Sequence, residues 1–191
     1  MRRFMVFTLA IMVTIPIFAQ EPQTLISGNV DHGGYGGLSM RVTSIQGNTE
    51  LLMGGRGAWI IDHTFYLGGG GIGVADGAEN APAGNLDFGY GGIMAGYIHS
   101  SDKLIHYTAG VMLAAGSAGI REPFVDEWED EDQPAFYLVE PEANVEVNVA
   151  KHFRVTLGLS YRLVTNYEHD GITEEDLNGL ATSLELKFGA F

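Results

Sequence analysis

The chain has 191 residues, 46% of them hydrophobic and 18% charged, with 27 Gly, no Cys and a formal charge of −14. That length suits one domain plus a processed segment. The absence of Cys excludes a disulfide framework, Cys-ligated zinc or iron–sulfur centres, a Cys nucleophile and a lipidated Cys anchor. Ten Lys and Arg against 24 Asp and Glu argue against nucleic acid as a partner, because its phosphates need a basic footprint.

Arg2 and Arg3 open the chain, Phe4 to Phe18 is almost wholly apolar, and Ala19 precedes the polar run Gln20, Glu21, Pro22 and Gln23. A charged start, an apolar core and a small residue before a polar stretch predict a secretory signal peptide over 1–19. The apolar run is too short for the ~20 residues of a spanning helix, and none long enough follows it.

From Gly33 onward the hydrophobic period is two, the mark of strands with unlike faces. Eight segments follow it: 33–45, 49–61, 64–75, 87–99, 104–119, 135–149, 153–166 and 179–190. The clearest places Tyr137, Val139, Ala143, Val145, Val147 and Val149 on one face and Glu140, Glu142, Asn144, Glu146 and Asn148 on the other. Pro141 interrupts this segment and predicts a bulge. Short turns at Asp62-His63, Ser100 to Lys103 and Ala150 to His152 alternate with Gln46-Gly47-Asn48 and with long connections at 76–86, 120–134 and 167–178. Short turns on one rim and longer polar loops on the other are the pattern of an antiparallel up-and-down transmembrane β-barrel.

The polar faces carry Arg41, Arg56, Arg154, Arg162 and Lys187 against Glu50, Asp62, Glu140, Glu142, Glu146 and Glu185. Charges so nearly balanced, in a chain whose loops are heavily acidic, are expected to pair across a narrow lumen, since buried unpaired charge is costly. An eight-stranded barrel has an interior just wide enough for side chains to fill. The apolar faces are then expected to point to lipid.

In these features the chain resembles the small bacterial outer-membrane β-barrel proteins, of the kind of the OmpA transmembrane domain and OmpX. The resemblance rests on Arg2-Arg3 with its apolar run, the eight alternating segments and the terminal Phe191, although Phe191 is out of phase with Leu184, Leu186 and Phe188. It implies a short N-terminal periplasmic segment over 20–32, an outer-membrane barrel over 33–191 and no peptidoglycan-binding domain after it. It also implies outer-membrane lipid, lipopolysaccharide and the barrel assembly machinery as partners.

Other constellations divide between a chemical and a structural reading. Gly68-Gly69-Gly70-Gly71-Ile72-Gly73 formally contains G-x-G-x-x-G, but no helix follows as a dinucleotide site would need, so these glycines are expected to ease curvature or close packing. His32, His63, His99 and His152 fall near the short-turn rim, and only His106 points into the lumen from within a strand, where a hydrogen bond to Glu or Arg is expected. Ser160 and His106 share the polar face, but nothing in the sequence aligns them for nucleophilic catalysis; no enzyme, catalytic residue or cofactor is expected. Glu122, Asp126, Glu127, Trp128, Glu129, Asp130, Glu131 and Asp132 in one loop, and Glu168, Asp170, Glu174, Glu175 and Asp176 in the last, read as solvated acidic surface and are the candidate contacts for an extracellular ligand. Clustered carboxylates also suit weak Ca²⁺ or Mg²⁺ binding shared with lipopolysaccharide phosphates. The expected function is envelope stability or adhesion. The rivals are a narrow cation-preferring channel, a lipid A-modifying enzyme and a soluble periplasmic barrel.

Overall fold

A computed structural model describes residues 30–75, 85–121, 135–169 and 171–191. Seven strands run in chain order: β1 (His32–Ile45), β2 (Asn48–Ile61), β3 (Phe65–Val74), β4 (Asn85–His99), β5 (Ile105–Arg121), β6 (Ala135–Ala150) and β7 (Phe153–Thr165). A small hairpin of β8 (Glu168–His169) and β9 (Ile172–Thr173), a single helical turn α1 (Glu174–Leu177) and the last long strand β10 (Gly179–Ala190) complete the order. The eight long strands close into one antiparallel barrel in which β10 pairs with β7 and β1. All eight expected segments are present, with ends displaced by no more than two residues. The predicted signal peptide and most of the N-terminal segment lie outside the described residues.

Turn chemistry explains the tight ends. Gln46-Gly47 and Asp62-His63 both have two successive residues at positive φ, the primed hairpin geometry whose twist matches that of the flanking strands. The turns around Asp62, Ser101 and Lys151 share one end of the barrel with both described chain ends, Val30 and Phe191. The turn at Gln46 and the β8–β9–α1 segment lie at the other end, where the Gln46 amide donates to the Asp176 carbonyl (3.0 Å).

The wall is inverted relative to a water-soluble domain. Leu38, Trp59, Leu67, Ile93, Tyr107, Leu113, Leu157 and Phe188 are exposed on its outside, while Arg41, Glu140, Glu146, Arg154, Arg162 and Lys187 are buried inside. By strand alternation, Asp87 is the one Asp, Glu, Lys or Arg on the outward face of the long strands within residues 32–119 and 135–190, and it stands near the long-loop end of β4. No helix of the described residues is long and apolar enough to cross a membrane. An uncharged apolar belt around a charged interior is the arrangement that lipid selects in a barrel.

One expectation about the strands is corrected. Pro141 produces no bulge: the β6–β7 ladder skips Glu140 and Pro141 and resumes in the same register from Val139–Leu163 to Glu142–Ser160. The missing N–H removes ladder bonds without inserting a residue. The register shift falls between Asn148 and Ala150 instead, beside the tight turn into β7. Gly68 to Gly73 lie within β3, where Gly69 and Gly71 face glycines of β2 and Gly70, Gly71 and Gly73 face glycines of β4; a Cβ on Gly68 would stand 2.1 Å from the Gly57 carbonyl oxygen. Close strand approach thus accounts for that glycine.

Candidate functional site

Among the described residues, chemistry-bearing side chains converge in the interior, which is built in levels along the barrel axis. β6 supplies most of the acid, because Glu140, Glu142 and Glu146 share its inward face. Bases reach them from four other strands: Arg41 of β1, Arg56 of β2, Arg154 of β7 and Lys187 of β10.

The middle level has two carboxylates. Arg41 NH1 meets Glu140 Oε1 at 2.5 Å, and Ser160 Oγ donates to the same oxygen at 2.6 Å. The Tyr90 hydroxyl donates to Glu140 Oε2 at 2.8 Å. Arg56 clasps Glu142 with two parallel bonds of 2.9 and 2.5 Å, the fork geometry in which an Arg–carboxylate pair is strongest. The Tyr66 hydroxyl adds a third bond to Glu142 at 3.1 Å.

Towards the short-turn end, Glu146 gathers a cluster of its own. Lys187 Nζ bonds its Oε1, His106 Nε2 stands 3.1 Å from Oε2, Arg154 NH1 lies 3.5 Å from Oε2 and Thr156 donates to Oε1. Glu185 connects the levels, 3.5 Å from Arg56 Nε and 3.7 Å from Lys187 Nζ. Phe191 closes this end from inside: its ring stacks on Tyr35 and lies under the Arg154 guanidinium, 4.1 Å from ring centre to Cζ.

The outer level is apolar. Phe88 stacks on Phe136 with ring centres 5.5 Å apart, and Phe136 meets Tyr167 edge to face at 5.7 Å. Ile172 of β9 and Leu177 of α1 descend into this space and are fully buried. The segment carrying them is a folded cap. The Tyr167 hydroxyl donates to the Ala118 carbonyl at 2.6 Å, Asn178 Oδ1 accepts from the Val164 amide at 2.6 Å, and Asp176 accepts from the amide and hydroxyl of Thr173. Those bonds, the backbone one first, hold the Asp176 carboxyl below its ordinary pKa.

Eight of the eleven expected lumen charges belong to the ion-paired network: Arg41, Arg56, Glu140, Glu142, Glu146, Arg154, Glu185 and Lys187. Three do not. Asp62 is exposed in the first short turn, because the chain leaves the strand at Ile61. Glu50 is only partly buried at the long-loop end of β2 and has no ion pair among the described residues. Arg162 is fully buried, yet its partners are the Phe88 ring, 4.8 Å from Cζ, and the Leu177 carbonyl, which accepts from Nε at 2.6 Å.

Of the acidic loop residues, Glu168, Glu174, Glu175 and Asp176 belong to the cap, so the last loop is a built closure. Glu122, Asp126, Glu127, Trp128, Glu129, Asp130, Glu131, Asp132 and Asp170 lie outside the described residues. His106 bonds a lumen carboxylate as expected, while Ser160 serves a different one. No group of three or more His, Cys, Asp or Glu among the described residues is placed to hold a metal ion.

Sequence reasoning missed Tyr66, Tyr90 and Phe191 as members of the lumen. The signal for Tyr66 lies in the inward glycines of the next two strands, Gly96 and Gly110, where a Cβ would stand 2.4 and 2.1 Å from the Tyr66 hydroxyl oxygen. These glycines leave the room that lets Tyr66 reach Glu142. Gly110→Ala is therefore expected to cost about 1–3 kcal/mol, read as a lower urea midpoint, and Tyr66→Phe in the same background should recover part of the loss.

Interior voids are small, about 20 Å³ beside Ser39, Arg41 and Arg56 and about 10 Å³ beside Tyr35, Glu146 and Lys187. Each is about the size of one water. Among the described residues, the interior is thus closed by the cap, by two ionic levels and by Phe191.

The combination of eight antiparallel strands, an apolar outside and a charged, filled inside has clear structural counterparts. The fold is that of the small outer-membrane β-barrels. It is similar to Neisserial surface protein A (TM-score 0.58, 11% identity, 85% of this chain and 99% of that one). It is also similar to the N-terminal barrel domain of Pseudomonas aeruginosa OprF (0.54, 11%, 81% and 96%). Ail, the attachment invasion locus protein of Yersinia pestis, was solved with the heparin analogue sucrose octasulfate and matches at 0.51 with 12% identity over 83% of this chain and 97% of that one. No protein-family model and no curated protein matches the sequence.

Proposed function

We propose that this protein is a closed, non-enzymatic barrel of the outer membrane of a two-membraned bacterium, serving envelope stability or adhesion through its outer rim. The uncharged exposed belt around a salt-bridged interior carries the reading of place. The three-fold closure of the lumen carries the reading of mode: a filled barrel is a rigid post, and recognition falls to what stands above the membrane. The short-turn end, with both chain ends, would face the periplasm and the cap the outside.

The described outer rim is acidic, with exposed Glu168, Glu174 and Glu175 on the cap. Its partner chemistry is thus a basic surface on another protein or divalent cations shared with lipopolysaccharide phosphates, and not a sulfated polyanion of the kind bound to Ail. Membrane lipid and the barrel assembly machinery complete the partners this reading requires.

Ion conductance of the refolded chain in a planar lipid bilayer tests the closure. Silence is expected, with heat-modifiable migration on a gel confirming that the inserted protein is folded. Discrete cation-selective steps would make the lumen a pore and overturn the reading.

A further inference from the structure

Arg162 is anomalous. Every other lumen cation stands within 4 Å of a carboxylate, whereas Arg162 spends Nε on the Leu177 carbonyl and leaves NH1 and NH2, fully out of solvent, without a hydrogen-bond partner among the described residues. The faces of Phe88 and Tyr90 offset part of that cost, with Cζ 4.8 and 5.9 Å from the ring centres. They cannot accept the remaining N–H bonds. A guanidinium fork so placed lacks the two-oxygen acceptor it is shaped for.

What sits against it belongs to the cap. Leu177 offers a single carbonyl oxygen to the guanidinium, and its side chain and that of Ile172 are fully buried in the same apolar cluster as Phe88, Phe136 and Tyr167. One oxygen followed by aliphatic carbon imitates, imperfectly, a carboxylate followed by an aliphatic tail. At its margins Gln46 bonds Asp176, Asn166 bonds Glu174, Val164 bonds Asn178 and Ala118 bonds Tyr167. Lifting the cap exposes Ile172 and Leu177, a cost that an apolar tail filling the same space would offset.

We propose that the space beneath the cap is a binding site for an apolar monocarboxylate, with Arg162 as the carboxylate receptor and Ile172 and Leu177 as a built-in surrogate that the ligand displaces. A single carboxylate suits one guanidinium whose surroundings are otherwise aromatic. A second negative charge would be buried among Phe88, Phe136 and Tyr167 unpaired. A tail of about eight carbons matches the two aliphatic side chains it replaces in a close-packed space. The site lies above the ionic levels, so it requires no opening of the lumen and stands whether or not the barrel conducts.

Octanoate is the probe and 1-octanol, with the same tail and no charge, the control for partition into lipid. The full mature chain is placed in nanodiscs with carbon-13 on the isoleucine methyl groups, and the Ile172 signal is followed. Octanoate is expected to move it saturably, and octanol to leave it in place at ten times the concentration. Arg162→Gln should weaken octanoate by about tenfold or more, the loss of one bidentate ionic contact. Leu177→Ala, which weakens the surrogate alone, should tighten it several-fold and leave octanol unmoved. Equal response to octanoate and octanol, undiminished binding by folded Arg162→Gln, or unchanged or weaker binding by Leu177→Ala would each overturn the proposal. Should Arg162→Gln fail to insert, the Leu177→Ala result decides alone.

Discussion

Glu146→Ala is expected to destabilise the barrel by about 3–5 kcal/mol, the cost of stranding buried charge. The carboxylate bonds Lys187, His106, Arg154 and Thr156 at once, drawing β5, β7 and β10 onto β6. After its removal Lys187 keeps one carboxylate, Glu185 at 3.7 Å, beside the Tyr35 ring, and Arg154 keeps the face of Phe191 and a 3.5 Å contact to the Ser101 carbonyl. Neither replaces a charge-assisted bond. Urea unfolding in phospholipid vesicles, read by heat-modifiable migration, measures the loss. Arg162→Met in the same assay should stay within about 1 kcal/mol of the parent, because no ion pair is broken there. If both variants lost stability equally, the interior would be responding to volume and not to charge pairing.

Phe136→Ala should cost about 3–5 kcal/mol, the range for emptying a large aromatic site. Its ring is fully buried between Phe88 and Tyr167 and supports the floor on which Ile172 and Leu177 rest. Leu157→Ala supplies the contrast. Leu157 is 62% exposed on the outward wall, where lipid chains replace what the shortened side chain no longer touches, so the loss should be about 1 kcal/mol or less. The same unfolding assay compares the two. Comparable losses would place Leu157 against protein and would contradict a lipid-facing outer wall.

Which parts of this were legible beforehand follows from what a period of two can encode. In β6, Glu140, Glu142 and Glu146 alternate with valines, so the faces differ in chemistry and the strand, its register and its inward side are read together. In β3, Tyr66 and Leu67 look alike to such a pattern: an aromatic residue belongs equally to a lumen and to a membrane belt, and the glycines beyond carry no polarity to break the tie. Parity also runs past strand ends, which is why Asp62 read as lumen although the turn had already taken it out. The cap was hidden for a further reason. Ile172 and Leu177 are two apolar residues in an acidic stretch, too few to show a period, and their burial depends on β7 and β1 being closed beneath them. Charge balance was informative in sum but silent on pairing, so Arg162 was counted with the rest.

The pairing of β10 with β1 joins residues at opposite ends of the sequence, from Gly34–Ala190 to Thr43–Ala181. Residues 179–190 therefore close a loop of nearly the whole described chain, the costliest kind of closure in entropy. Glu146 has Arg154 and His106 from the neighbouring strands β7 and β5, while Arg41 and Arg56 reach from β1 and β2 to Glu140 and Glu142 of the same β6. Glu185 and Lys187 stand on the closing strand, between Arg56 and Glu146. The strand that shuts the ring is thus also the one whose side chains join its two ionic clusters.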